Sequence, residues 1–185
     1  IGQVEQVRLS DDLTHTLISH VTETATSTTT GDVNGHAFVI TTDSTHLGNP
    51  TQSWKINRNH NGVSFDLAFA GTGTIEIKNL YWFGQYSVTS DYAFIQIKNT
   101  TAFSDTIRIH DNLMDHNNRR GRGIDIQDAT PKVYVWNNVI WDNSTAGFGI
   151  RSLATNAGNI IEGNTVYEML TGIDATSDAL TIKNN

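Results

Sequence analysis

The pattern nearest to a catalytic group is a carboxylate–arginine–carboxylate row formed by Asp125, Arg151 and Asp174. Each of the three follows a Gly-Ile pair, so they occupy equivalent positions in a repeated segment. Such a row on a groove could bind or cleave an acidic sugar, with the carboxylates as acid and base and the arginine as the anion ligand. Opposite charges on neighbouring strands also stabilise a sheet without any catalysis. Both interpretations follow from these residue types.

A second candidate is the arginine-rich segment 117–123, in which three guanidinium groups could form an anion clamp. Arginine forks bind carboxylate and sulfate in a bidentate manner. The arginines are Arg119, Arg120 and Arg122. Acid–base side chains come just before them, namely His110, Asp111, Asp115 and His116. The alternative is a solvated loop whose arginines pair with Asp125, with Asp128 or with a neighbouring chain.

Three aromatic side chains could form a platform for sugar rings. Trp136, Trp141 and Tyr167 all follow strand-like segments of the repeat. Aromatic rings present apolar faces that suit the apolar faces of sugars. The alternative is that these rings pack under a loop or form an interface with another subunit.

Several classes of function are disfavoured by composition and motif content. The chain has no cysteine, so disulfides and thiolate metal sites are excluded, and its histidines show no metal-ligand spacing. Phosphate-binding loops, nucleophile elbows and zinc motifs are missing. The formal net charge of −7 disfavours both nucleic acid and anionic membranes as partners. We therefore expect no metal, no cofactor, no nucleic acid and no membrane.

The elements that must position these residues are short strands in a repeating unit. The chain contains 18 Ile, 11 Val and 25 Thr but only 10 Leu, a composition typical of strands. Asn112, Asn138 and Asn164 recur every 26 residues, and Asn185 follows after 21. Glycines recur in step, at Gly123, Gly149 and Gly172. A period of this length predicts a solenoid, a propeller or an array, and the low leucine content argues against leucine-rich repeats.

Parallel stacking of these units predicts columns of equivalent residues, with neighbours about 4.8 Å apart. One apolar column should contain Ile77, Ile109, Val135 and Ile182. The repeated asparagines should form a ladder through their side-chain amides. Outward columns should place Glu76 over Arg108 and Tyr134, Asp115 over Trp141 and Tyr167, and Gln96 in the row of Asp125, Arg151 and Asp174.

The repeated asparagine turn and the Gly-Ile strands resemble those of right-handed parallel β-helix proteins of the pectate-lyase-like superfamily. The resemblance covers residues 74–185 and extends from about residue 36. It implies an all-β fold, a right-handed single-stranded parallel β-helix that lacks a C-terminal cap in this chain. Residues 1–35 are then an N-terminal extended or capping segment with a Thr-rich loop, and residues 36–185 are the coils. The superfamily's lyase, polygalacturonase and epimerase signatures are missing, so the resemblance implies no catalytic residue.

Two functions follow as expectations. The first is a structural and binding β-helix module of an extracellular or virion-surface protein, such as a phage fibre, spike or capsid decoration, in contact with glycans. Further subunits or domains would cover the open solenoid end, in a homo-oligomer or a larger assembly. The alternative is an enzyme acting on an acidic glycan by lyase, hydrolase or epimerase chemistry, with Asp125, Arg151 and Asp174 as its catalytic residues.

Overall fold

The structure is a computed structural model in which thirteen segments of the chain are described. These are residues 21–23, 27–32, 36–41, 55–58, 65–70, 73–84, 92–98, 106–117, 121–127, 132–142, 147–153, 158–176 and 180–185. Side chains are described within the segments from residue 73 onward, and also for Thr41 and Leu67. None of these segments forms a helix with the length and apolar character that a membrane crossing needs.

Within the described segments, eighteen strands form three six-stranded sheets, which we call A, B and C. Sheet A contains β1 (Val21–Glu23), β4 (Lys55–Arg58), β7 (Tyr81–Gly84), β10 (Leu113–Asp115), β13 (Val139–Trp141) and β16 (Thr165–Tyr167). Sheet B contains β2 (Ser27–Asp32), β5 (Phe65–Ala70), β8 (Ala93–Ile97), β11 (Arg122–Ile126), β14 (Phe148–Ser152) and β17 (Thr171–Ala175). Sheet C contains β3 (His36–Thr41), β6 (Gly73–Lys78), β9 (Thr106–His110), β12 (Lys132–Trp136), β15 (Asn159–Glu162) and β18 (Leu180–Lys183).

The chain passes from sheet A to B to C and then returns to A one layer further along. Every strand pairs in parallel with the strand three places before or after it in the chain. This connectivity is that of a parallel β-helix solenoid, so the predicted all-β solenoid is confirmed. The Thr-rich segment Ser27–Asp32 is a strand in register with Phe65–Ala70, since β-branched threonine suits a pleated surface. The division of the chain at residues 35 and 36 stays a prediction.

Apolar side chains form continuous columns inside the solenoid. Register confirms the predicted column of Ile77, Ile109, Val135 and Ile182, with Ile161 between the last two. Parallel columns on the other sheets include Trp82–Met114–Ile140 and Ile95–Ile124–Ile150, all fully buried. Alternation along each strand sends the intervening residues outward. The core thus fixes which side chains each sheet presents on its outer face.

The repeated glycines lie within strands of sheet B, on the side that faces the buried side chains of sheet A. A Cβ at Gly123 would lie 2.8 Å from Cγ2 of Ile140 and 2.7 Å from the carbonyl oxygen of Gly149. A Cβ at Gly149 would lie 2.3 Å from Cγ1 of Val166. At Gly123 and Gly149, a side chain would therefore overlap the neighbouring sheet A column, whereas a Cβ at Gly172 would lie 3.9 Å from Cγ1 of Val166, in ordinary contact.

An asparagine corner of two residues follows each strand of sheet C from β6 to β18, and it leads from β6, β9, β12 and β15 into the next strand of sheet A. Its first residue is left-handed, with φ between 50° and 63°, and is always Asn, Asp or Gly: Asn79, Asp111, Asn137, Gly163 and Asn184. These residue types tolerate that conformation best. Its second residue is Asn112, Asn138, Asn164 or Asn185, and Leu80 at the first described corner.

The predicted asparagine ladder is present at this corner. Each Nδ2 donates to the Oδ1 of the next asparagine, at 2.9 Å from Asn112 to Asn138, from Asn138 to Asn164 and from Asn164 to Asn185. Each Oδ1 also accepts the backbone N–H of the preceding asparagine, or of Leu80 at the start of the ladder. The ladder satisfies buried backbone and side-chain groups together, which locks the coils in register.

Candidate functional site

The row predicted on sheet B is present and is centred on Asp125. Register places Asp125 between Gln96 and Arg151, and Arg151 next to Asp174. Arg151 donates from Nε to Oδ1 of Asp125 at 2.7 Å and from Nη2 to Oδ2 at 2.8 Å, a bidentate ion pair. No ion pair within the described residues joins Arg151 to Asp174. Arg151 therefore pairs with Asp125 and not with the other carboxylate of the row, Asp174.

Three further donors enclose the same carboxylate. Oδ2 of Asp125 accepts hydrogen bonds from Gln127 at 2.8 Å, from Arg122 at 3.2 Å and from Gln96 at 3.3 Å. The Asp125 side chain has no exposed surface, while the Arg122 and Arg151 side chains are each 15% exposed. A carboxylate held in this way cannot reach a substrate as a general acid or base in this geometry.

The pKa of Asp125 reflects this enclosure. Burial acts to raise the pKa, but the hydrogen bonds from Arg151 and Gln127 and the charges of Arg122 and Arg151 outweigh it, so the pKa lies below its usual value. Asp125 is thus an ionised and internally neutralised group. These are the properties of an ion pair that stabilises the stack of coils.

The predicted anion clamp is described only in part. Arg119 and Arg120 lie outside the described residues, as does Asp128. Arg122 is bonded to Asp125, and its guanidinium carbon lies 5.8 Å from the centre of the Phe148 ring. This pairing with Asp125 is the alternative to a clamp that the sequence offered.

The four acid–base residues upstream are distributed over different parts of the solenoid. His110 is outward on sheet C, while Asp115 is on sheet A, where its Oδ1 accepts the backbone N–H of Asn117 at 2.7 Å. His116 is fully buried, and its ring centre lies 4.6 Å from that of Phe94. His116 is therefore part of the interior, and only His110 and Asp111 remain together on one surface.

His110 is the centre of a compact polar cluster on the outer face of sheet C. Its Nδ1 lies 2.6 Å from Oδ2 of Asp111, and its Nε2 lies 3.0 Å from Oε1 of Glu76. A protonated imidazole donates to both carboxylates, whereas a neutral one carries a single N–H. Lys78 donates to Oε2 of Glu76 at 2.7 Å, and the Trp136 ring stacks on the imidazole at 4.0 Å. The cluster ties three neighbouring strands together.

The pKa of Glu76 is lowered in this cluster. Its partial burial acts to raise the pKa, but hydrogen bonds from Lys78 and His110 and the charge of each outweigh that effect. The Glu76 carboxylate is therefore ionised through the neutral range.

The outer face of sheet A carries a row of parallel aromatic rings, which we call the aromatic ladder. Trp141 lies between Tyr81 and Tyr167, with ring centres 6.3 and 6.1 Å away and interplanar angles of 15° and 2°. The Tyr167 side chain is 44% exposed, Trp141 is half-buried and Tyr81 is buried. Burial, with the charge and hydrogen bond of Asp115, raises the pKa of Tyr81 to about 12. The ladder thus becomes more accessible towards β16.

Comparison with protein-family models, with curated proteins and with solved structures gave no significant match. The residues themselves must therefore indicate the function. Within the described segments, no group of three or more His, Asp or Glu side chains is arranged to hold a metal ion.

The structure separates the predicted sugar-binding aromatics into two places. Trp141 and Tyr167 belong to the aromatic ladder on sheet A, whereas Trp136 lies across the asparagine corner on sheet C, against His110. Sequence reasoning missed Tyr81 as a ladder member. The repeat gave no signal for it, because register places Phe83 in the column of Asp115, Trp141 and Tyr167, whereas Tyr81 is opposite Leu113.

Acid should destabilise the fold through Asp125 and Glu76. Both folded-state pKa values lie below their usual values, so each carboxylate contributes stability that is complete above about pH 5. That contribution is lost as the pH falls through the folded-state pKa values. We expect the free energy of unfolding, measured in urea, to decrease as the pH is lowered from 7 to 3. The dependence should be shallower in Glu76→Gln, and equal slopes in the two proteins would contradict this assignment.

Proposed function

We propose that this chain is a structural and glycan-binding module built on a parallel β-helix of the pectate-lyase-like type, carried by an extracellular or virion-surface protein. The observation that carries the proposal is the aromatic ladder of Tyr81, Trp141 and Tyr167 on the outer face of sheet A. Aromatic side chains combine a large apolar area with polar edges, which suits the mixed surface of a sugar.

The rigid backbone of the solenoid supports this proposal. Parallel strands hold the Cα atoms of Trp141 and Tyr167 in register, and the asparagine ladder lies close by at the corner. A binding surface on regular strands loses little conformational entropy when a ligand binds. Association with further subunits or domains remains a prediction.

The alternative of an enzyme acting on an acidic glycan has less support. Its candidate acid or base Asp125 is fully enclosed, and Arg151 is committed to that carboxylate. Asp174 is half-buried and lies next to Arg151 in register. Catalysis would require Asp125 to become accessible. Incubation with uronate polymers, followed by ultraviolet absorbance for unsaturated ends and by a reducing-end assay, tests this alternative directly.

The proposed function is tested by affinity electrophoresis in gels that contain a panel of neutral and acidic polysaccharides. We expect at least one polysaccharide to retard the protein, and Trp141→Ala to weaken that binding by roughly tenfold, as is common for a central aromatic contact. Leu153→Ala is the matched control, because Leu153 is an exposed apolar residue outside sheet A, on the sheet B side. Retardation by no polysaccharide, or equal loss in both variants, would defeat the proposal.

A further inference from the structure

The outer face of sheet C concentrates positive charge in an acidic protein. The whole chain has 12 Lys and Arg against 19 Asp and Glu. The described strands of sheet C reverse this balance, with four cations against two carboxylates. The cations are Lys78, Arg108, Lys132 and Lys183, and the carboxylates are Glu76 and Glu162. Alternation with the buried apolar columns directs all six outward.

Three of these cations, Arg108, Lys132 and Lys183, have no side-chain hydrogen bond or ion pair among the described residues, and Lys183 is opposite Glu162 in register. Register places Glu76 opposite Arg108, but the Glu76 carboxylate is taken by Lys78 at 2.7 Å and by His110 at 3.0 Å. Arg108 and Lys132 are exposed, and neither forms a hydrogen bond or ion pair within the described residues. By contrast, the guanidinium groups of Arg122 and Arg151 are held by Asp125.

Arg108 and Lys132 are close neighbours on this face. Arg108 is opposite Tyr134 in register, and Lys132 precedes Tyr134 by two residues on the same side of β12. Diagonal neighbours of this kind have Cα atoms roughly 7–8 Å apart, within reach of long side chains. The stem of Lys132 runs over Gly158, since a Cβ there would lie 3.3 Å from Cε of Lys132. The two cations therefore form a strip along the solenoid axis, with the half-buried Tyr134 ring beside it.

We propose that this strip, formed by Arg108, Lys132 and Tyr134, binds the anionic groups of a polysaccharide. The inference rests on the proposed glycan binding and adds to it the charge of the glycan and a second contact surface. Guanidinium and ammonium groups bind sulfate and carboxylate, and the tyrosine ring offers an apolar contact to a sugar. A polymer that repeats its charge suits the strip, because successive strands repeat along the axis about every 4.8 Å.

The experiment measures the binding of dextran sulfate, polygalacturonate and neutral dextran by affinity electrophoresis and by titration calorimetry at two salt concentrations. Dextran and dextran sulfate share a backbone, so their difference isolates the sulfate, and polygalacturonate tests the carboxylate. The variants are Arg108→Gln, Lys132→Gln and the double variant, with Arg108→Lys to retain the charge. Lys98→Gln is the matched charge control, because Lys98 follows β8 on sheet B.

We expect at least one acidic polymer to bind more tightly than neutral dextran and to bind more weakly at the higher salt concentration. Each single glutamine variant should weaken this binding by about twofold to fivefold, in the range of exposed ion pairs, and the double variant should weaken it further. Arg108→Lys should retain most of the affinity, and Lys98→Gln should retain all of it. Circular dichroism melting should be unchanged, since both side chains are exposed and unpaired among the described residues.

Three results would overturn the inference in distinguishable ways. Binding of acidic polymers that the double variant leaves unchanged would defeat the strip but not the proposed function. Binding of neutral polysaccharides alone would do the same. Failure of every polysaccharide in both experiments would defeat the proposed function as well. Tighter binding of single-stranded DNA than of either acidic polymer would assign the strip to a different ligand.

Discussion

Replacing Asn138 by alanine is expected to lower the free energy of unfolding by about 2–4 kcal/mol, because several buried groups lose their partners at once. Oδ1 of Asn138 accepts both the backbone N–H and the Nδ2 of Asn112. Its Nδ2 donates to Oδ1 of Asn164 and to the carbonyl oxygens of Ile109 and Trp136. Asn138 has no exposed surface, so water cannot replace these bonds without opening the corner. Urea denaturation followed by circular dichroism measures the loss.

Asn185→Ala is the matched control for this prediction. Asn185 makes the same kinds of contact, with its Oδ1 accepting from Asn164 and its Nδ2 donating to the carbonyl oxygens of Ile161 and Lys183. It is exposed, however, so water can take over the lost bonds. We expect a cost below about 1 kcal/mol. Equal losses in the two variants would show that burial of the ladder is not the source of its stability.

Gly149→Ala is expected to destabilise the protein by about 2–3 kcal/mol through overpacking. The added Cβ would lie 2.3 Å from Cγ1 of Val166 and 2.6 Å from the carbonyl oxygen of Gly172. The backbone oxygen belongs to the next strand of sheet B, so relief requires the two strands to separate. Thermal and urea denaturation should both show the loss.

The same substitution at Gly172 provides the comparison. A Cβ at Gly172 would lie 3.9 Å from its nearest neighbour, Cγ1 of Val166, which is ordinary contact. Gly172→Ala should therefore be within about 0.5 kcal/mol of the wild type, or slightly stabilising because alanine restricts the unfolded chain. A loss at Gly172 as large as that at Gly149 would mean that backbone conformation, and not space, requires glycine in this column.

The stacked columns and the asparagine ladder could be predicted because they depend only on period and alternation. Once Asn112, Asn138 and Asn164 recur at a fixed interval, parallel stacking determines the neighbours of every residue between them. The predicted row of Gln96, Asp125, Arg151 and Asp174 follows from the same geometry. Register is a backbone property, and the repeat specifies it.

Side-chain pairing and burial could not be predicted in this way. Register places Glu76 opposite Arg108, yet Glu76 bonds to Lys78 and His110, because long side chains lean along the strand as well as across it. Likewise, the sequence offered arginine partners for Asp125, but its outward position gave no sign that the carboxylate would be fully buried among them and two glutamines. These outcomes depend on three-dimensional contacts that no column alignment contains.

The shorter last repeat has a simple structural origin. Asn164 and Asn185 are 21 residues apart, five fewer than the previous interval. The connection between β16 and β17 has three residues fewer than that between β13 and β14, and the connection between β17 and β18 has two fewer than that between β14 and β15. Strand lengths and the asparagine corner are unchanged between these two units.

The asparagine corners have a fixed length, whereas the connections between sheets B and C vary in length. This difference determines where such a chain can accept insertions. The connection from sheet B to sheet C has eight residues after β8, five after β11, six after β14 and four after β17, while the corner from sheet C to sheet A has two after each of β6, β9, β12 and β15. Insertions between sheets B and C leave the register of the strands intact. The amide ladder, which runs from Asn112 to Asn185, fixes the register again at each of its corners. Natural variation or loop grafting can therefore alter the surface of one coil independently, while an insertion at an asparagine corner would interrupt the amide hydrogen bonds that fix the register there.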